Sequence, residues 1–116
     1  PETYREQSNR IKTSDASVII SNVEYRGADE YVKLKNTGST SVNLDGWRLL
    51  SVKGEQEYYL SDITLQPGGT FSIHSGKAAT DNVWTYAYIH NNRGDAVSVF
   101  DSYGDLVDYF GWGEYK

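Results

Sequence analysis

An all-β sandwich is the fold class predicted by this sequence, and three observations predict it. Aromatic residues make up 14% of the 116-residue chain, with ten Tyr, and together with Val, Ile and Thr they favour strands. No window shows sustained apolar spacing at i, i+3, i+4 and i+7, so amphipathic helices are not expected. Short alternating segments are separated by turn residues roughly every 8–12 positions, which is the spacing of a sandwich of seven or eight short strands.

The elements follow in order. Residues 1–16, PETYREQSNRIKTSDA, are polar and mixed in charge, and are expected to be a linker or flexible leader; the domain is expected over 17–116. A first strand is expected near Val18, Ile20 and Val23. In EYVKLKN (30–36) Val32 and Leu34 take one parity and Lys33 and Lys35 the other, the pattern of a strand with one wet face. Asn36-Thr37-Gly38-Ser39 reads as a turn. One strand is expected over roughly 42–52, containing LDGW. Lys53-Gly54 starts a hairpin, with the positive φ expected at Gly54. Gln66-Pro67-Gly68-Gly69 places Pro and Gly at the centre of a type II turn, feeding a strand at Thr70–Ser75. The apolar but irregular stretch 83–89 precedes the turn at Asn91–Asp95. Strands at 96–101 and 105–110 close the chain around Gly104, expected in the left-handed region.

The order of these motifs is specific. Asn36-x-Gly38 is followed by Leu44-x-Gly46-Trp47-x-Leu49. Then come Leu65-x-Pro67-Gly68, Phe71-x-Ile73, Trp84, Gly94-Asp95-x-Val97-x-Val99 and Asp101-x-x-Gly104-x-x-Val107-Asp108. Over roughly residues 17–112 the series resembles the lamin-tail domain, the module at the C-terminal end of nuclear intermediate-filament proteins. The same module occurs in bacterial and archaeal proteins, often appended to secreted or membrane-associated hydrolases and nucleases. The resemblance implies an immunoglobulin-like β-sandwich of seven to nine short, mostly antiparallel strands, with Gly46 and Trp47 as core anchor. It implies a non-catalytic binding or tethering module. No heptad rod and no basic localisation cluster is present, so a prokaryotic member is expected rather than a nuclear filament tail, the alternative that would place the protein in the nucleus.

Composition bounds the chemistry. Cys is absent, which excludes disulfides, thiol nucleophiles and zinc sites built on Cys. Met is also absent, and the chain is expected to be a fragment or processed product of a larger secreted or cell-surface protein. Net charge is −5, which does not favour nucleic acid as partner. No apolar run approaches the roughly 18 residues of a membrane span, so no membrane insertion is expected. The expected state is a monomer or weak dimer.

Several residues invite a sharper reading. Arg93-Gly94-Asp95 spells an integrin-type tripeptide, but a turn glycine followed by an Asp that opens a strand accounts for it. His74 and His90 are read as solvated, since zinc would need carboxylate partners that nothing singles out. Asp95, Asp101, Asp105 and Asp108 lack EF-hand spacing; a calcium ion near Asp101 and Asp105 is left open, and no cofactor or metal is expected. Ser, His and Asp occur without a Gly-x-Ser-x-Gly elbow or a phosphate-cradling loop, so no enzyme is expected. The aromatic surplus supplies the binding candidates: Tyr58, Tyr59, Tyr86, Tyr88 and Trp112, with Tyr103, Tyr109 and Tyr115 nearby in the chain. Adjacent Tyr58 and Tyr59 must point to opposite faces. A protein or a cell-wall polysaccharide is the expected partner, and a carbohydrate-binding module is the alternative reading.

Overall fold

The computed structural model describes residues 11–116. Ten strands are present: β1 (Val18–Glu24), β2 (Glu30–Asn36), β3 (Val42–Asn43), β4 (Arg48–Ser51), β5 (Gln56–Tyr59), β6 (Thr64–Leu65), β7 (Thr70–Ser75), β8 (Val83–Thr85), β9 (Asp95–Phe100) and β10 (Leu106–Trp112), followed by a 3-10 turn at Gly113–Tyr115. One sheet has the order β1-β2-β7-β8 and the other β10-β9-β4-β5, with β3 and β6 forming a small third pair. All pairings are antiparallel except β7 with β8. The architecture is an immunoglobulin-like β-sandwich.

The strand count reaches ten because the run expected as one strand over 42–52 is two and because the short β6 was not expected. The Trp47 amide donates to the Leu44 carbonyl at 3.0 Å, and Gly46 has φ +79°. Leu44–Trp47 is therefore a turn with glycine at its third position, where a type II geometry requires positive φ. The turn sends β3 to the small sheet and β4 to the main one. Trp47 is buried at the centre of the core with Leu34, Leu44, Leu49, Leu60, Ile73, Val97 and Val99.

Alternation carries most of the core, and two irregularities complete it. In β1 the pairing jumps from Ile20↔Leu34 to Asn22↔Lys33, leaving Ser21 as an extra residue. This bulge brings Val23 to the same buried side as Val18 and Ile20, although strict period two would turn it outward. In β10 the jump lies between Leu106 and Asp108, so that adjacent Leu106 and Val107 are both buried, in two different clusters. Leu106 belongs to a second apolar group with Leu50, Val52, Ala96, Phe100 and Tyr115.

Two local expectations change. The positive φ of the β4–β5 turn falls on Glu55 (57°) rather than Gly54. A Cβ on Gly54 would meet only the end of the Gln56 side chain. Lys33 and Lys35 lie on the interior strand β2, on the wetter face that the alternation predicts. Of the stretch expected as a leader, residues 1–10 lie outside the described residues. Thr13 and Ser14 donate their amides to the Leu106 carbonyl, each at 2.9 Å. Lys12 Nζ donates to the carbonyls of Ala16 at 2.7 Å and Val107 at 3.1 Å, so 12–16 are held along the start of β10. Gly68 and Gly104 both have positive φ, +79° and +87°, as their turns require.

Candidate functional site

The antiparallel order brings one end of four strands together. Glu30 opens β2 opposite Ser75, the last residue of β7. Ser51 ends β4, and Asp95 opens β9 beside it. All four are buried and polar, as is His90 from the loop that crosses this end. The same parity that points Val32 and Leu34 into the core points Glu30 inward as well.

Hydrogen bonds knit these groups into a layer over the apolar core. Glu30 Oε1 accepts from Ser75 Oγ at 3.0 Å, from the Ile89 amide at 3.0 Å and from the His90 amide at 3.4 Å. Asp95 accepts from the amides of Lys53 at 2.8 Å, Asn91 at 3.2 Å and Ala96 at 2.7 Å. The Ser51 hydroxyl lies 3.0 Å from the Ile89 carbonyl, 3.3 Å from Asp95 Oδ2 and 3.4 Å from His90 Nδ1. Burial raises the Glu30 carboxyl above its ordinary value despite these donors, with the Asp95 charge adding to the rise. Burial lowers His90 to about 4, so its imidazole is neutral at pH 7. Its Nε2 has no hydrogen-bond partner.

Ser51, His90 and Asp95 are the residue types of a hydrolytic triad, but their order in space is wrong for one. A triad needs histidine between the nucleophile and the carboxylate. Here Ser51 stands between His90 and Asp95, fully buried, with its hydroxyl turned to a backbone carbonyl. The geometry is that of a structural polar network.

Two clefts open over this layer. One, of ≈ 450 Å³, is lined by Tyr25, Arg26, Glu30, Tyr88, His90 and Asn92 among others. The other, of ≈ 240 Å³, is lined by Lys53, Gly54, Gln56, Ile89 and Asp95. Tyr88 and Asn91 border both. Tyr25 stacks on Trp112 at 4.3 Å between ring centroids, and Trp112 Nε1 donates to the Asn91 carbonyl at 2.7 Å. These contacts fix the floor of the loop.

The sequence-predicted candidates do not form one surface. Trp112 is a core ring, only 6% exposed, because the bulge in β10 turns it inward. Tyr58 is half-buried and packs against Trp84 at 5.8 Å, where edge strands β5 and β8 meet. Tyr59, Tyr86 and Tyr88 are exposed, as is Tyr103 in the β9–β10 turn. Tyr109 and Tyr115 belong to the second apolar group.

His90 corrects an expectation: the sequence reads it as solvated, and it is 2% exposed, flanked by Trp84 and Trp112 in edge-on contacts. His74 pairs with Asp29 at 2.8 Å near the surface, an interaction of small worth. The integrin-type tripeptide holds its Asp95 carboxylate inside the fold. The four aspartates separate as well. Asp101 caps the β9–β10 turn through the amides of Tyr103 and Asp105, while Asp108 accepts from the Ile20 amide at 2.7 Å and ties the two sheets together. Among the described residues no three His, Asp or Glu side chains converge as a metal site would need, and no helix is long and apolar enough to cross a membrane.

Sequence reasoning missed Glu30, Ser51, Ser75 and Gln56. The parity signal for Glu30 was available in EYVKLKN; Gln56 carried none. A family model described as Lamin Tail Domain matches residues 12–114, and no curated protein matches the chain by sequence.

Proposed function

We propose, from the premise that this chain belongs to the lamin tail domain family, that it is a non-catalytic tether of a larger secreted or cell-surface protein. The family match suggests an immunoglobulin-like binding or tethering module. In this reading the module holds its parent against another protein or a wall component. The observation that carries it is a sandwich with tyrosines left in solvent on and after its adjoining edge strands β5 and β8. Tyr59 lies on edge strand β5, and Tyr86 and Tyr88 follow edge strand β8, the two edges joined by the Tyr58–Trp84 contact. Exposed tyrosines on a rigid support lose little entropy on binding, which suits a contact surface. The buried Ser51–His90–Asp95 order supports a role without chemistry.

The test is removal of residues 12–114 from the parent protein. Retention of the parent on its surface should be lost, while its activity on a small soluble substrate stays unchanged. Loss of that activity together with normal retention would sink the reading.

A further inference from the structure

We propose that the two clefts flanking Tyr88 form one binding site for a neutral polyhydroxylated ligand, such as a mono- or disaccharide. This deepens the tethering reading by naming a wall-type ligand, and rests on it only for its biological setting.

Two buried side-chain atoms among the described residues lack a hydrogen-bond partner: His90 Nε2 and Gln56 Oε1. Such atoms are rare, and each calls for a reason. The two lie far apart in sequence and on different elements. Yet His90 lines one cleft, Gln56 lines the other, and the clefts share Tyr88 and Asn91. The unmet hydrogen-bonding capacity of the fold is thus gathered around one exposed ring.

The chemistry of the walls selects the ligand. Asn91, Asn92 and Gln56 each offer an amide that donates and accepts. His90 Nε2 is a donor or an acceptor according to tautomer, and a hydroxyl matches either. The cations Arg26 and Lys53 line the clefts together with the carboxylates Glu30 and Asp95, so neither a strongly anionic nor a strongly cationic ligand is favoured. The two carboxylates are also already engaged by backbone amides. Tyr88 is 52% exposed, and its ring is seated: a Cβ on Gly76 would come within 2.9 Å of it. A fixed, half-exposed tyrosine beside amides and an imidazole is a platform for the C–H face of a sugar, with hydroxyls reaching the polar atoms at its rim. The larger cleft alone falls within the size range of small-molecule sites.

The experiment is an amide NMR titration of the whole chain with glucose, N-acetylglucosamine, cellobiose, maltose and chitobiose. Saturable shifts are expected for at least one sugar, confined to residues around 53–56 and 88–92, with a dissociation constant on the order of 1 mM. Trp84 and Trp112 adjoin His90, so tryptophan fluorescence should change in parallel. Tyr88→Ala, at a solvent-facing position, should keep the fold and weaken binding by about tenfold or more. Tyr103→Ala, on a distant turn, should leave binding unchanged. Absence of saturable shifts with every sugar, meaning that ordered water alone satisfies the two atoms, overturns the proposal. So does binding that is indifferent to Tyr88→Ala. Either failure leaves the surface-retention test of tethering untouched, so the two readings fall separately.

Discussion

His90 should make this protein lose stability as pH falls from 7 to 4. The imidazole is 2% exposed, and burial takes its pKa from 6.5 to about 4. At pH 7 both folded and unfolded chains hold it neutral, and it contributes no pH dependence. Between about 6.5 and about 4 the unfolded chain binds a proton that the folded chain refuses, so unfolding is favoured. A difference of about 2.5 pKa units corresponds to about 3 kcal/mol lost by the time pH reaches 4. Against a total stability of about 5–15 kcal/mol that is a large fraction. Glu30 acts in the opposite sense. Its folded pKa is raised above 4.5, so its contribution is greatest below 4.5 and is lost as pH rises through the folded value. The net slope therefore mixes two groups, and His90→Gln separates them. Urea denaturation of both proteins at pH 7, 6, 5 and 4 gives the difference in stability at each pH. That difference should move by about 3 kcal/mol in favour of the variant toward pH 4. A difference that stays constant, or an NMR titration placing folded His90 above 6.5, would mean that the nearby carboxylates outweigh burial, and the reasoning would be refuted.

Three other substitutions probe the fold. Trp47→Ala should cost about 3–5 kcal/mol and lower the melting temperature by more than about 10 °C, read by calorimetry. Gly113→Ala meets both a φ of +63° and a collision with the Arg93 carbonyl oxygen; a loss of about 2–4 kcal/mol is expected in chemical denaturation, and a neutral result would contradict the geometry. Asn36 is fully buried and donates from Nδ2 to the carbonyls of Thr40 and Leu65, at 2.8 and 3.0 Å. Asn36→Asp would set a carboxylate against those two oxygens and should destabilise by about 3 kcal/mol or more at pH 7, recovering in part in acid; equal stability at both pH values would refute it.

The fold was legible wherever alternation is unbroken. Val32 and Leu34, Phe71 to Ile73, and Val97 to Val99 mark their strands in the residue pattern itself, and Pro67-Gly68 marks its turn. Legibility ended where a single backbone decision changes parity. At Gly46 one positive φ converts an apparent long strand into two strands of different sheets. At Ser21 and Val107 one extra residue reverses every side chain that follows. The candidate site suffered most, because its residues come from the ends of strands and from a loop without periodicity. Trp112 was read as surface because its burial depends on the β10 bulge and on the Asn91 carbonyl. His90 was read as solvated because nothing local says that Trp84 and Trp112 pack against it.

The polar layer also bears on why the clefts exist at this end and not the other. A sandwich of eight main strands must stop burying apolar side chains somewhere, and at most strand ends it does so with solvated turns. Here Glu30, Ser51, Ser75 and Asp95 stay inward for one further residue, so the 86–92 loop is drawn across them by its own amides. Ile89 and His90 donate to Glu30, and Asn91 donates to Asp95. Those bonds set the loop's height above the core, and with it the position of Tyr88 between the clefts. A change at Glu30, which itself lines the larger cleft, would therefore also alter ligand contact through the loop. Glu30→Gln keeps the side-chain shape, removes one buried negative charge and retains an acceptor for the Ile89 amide. Burial disfavours that charge, so the substitution is expected to preserve or raise stability at neutral pH. Comparable stability together with displaced amide resonances at 88–91 would show that the carboxylate positions the loop. Displaced resonances across both sheets would instead assign Glu30 to the core alone.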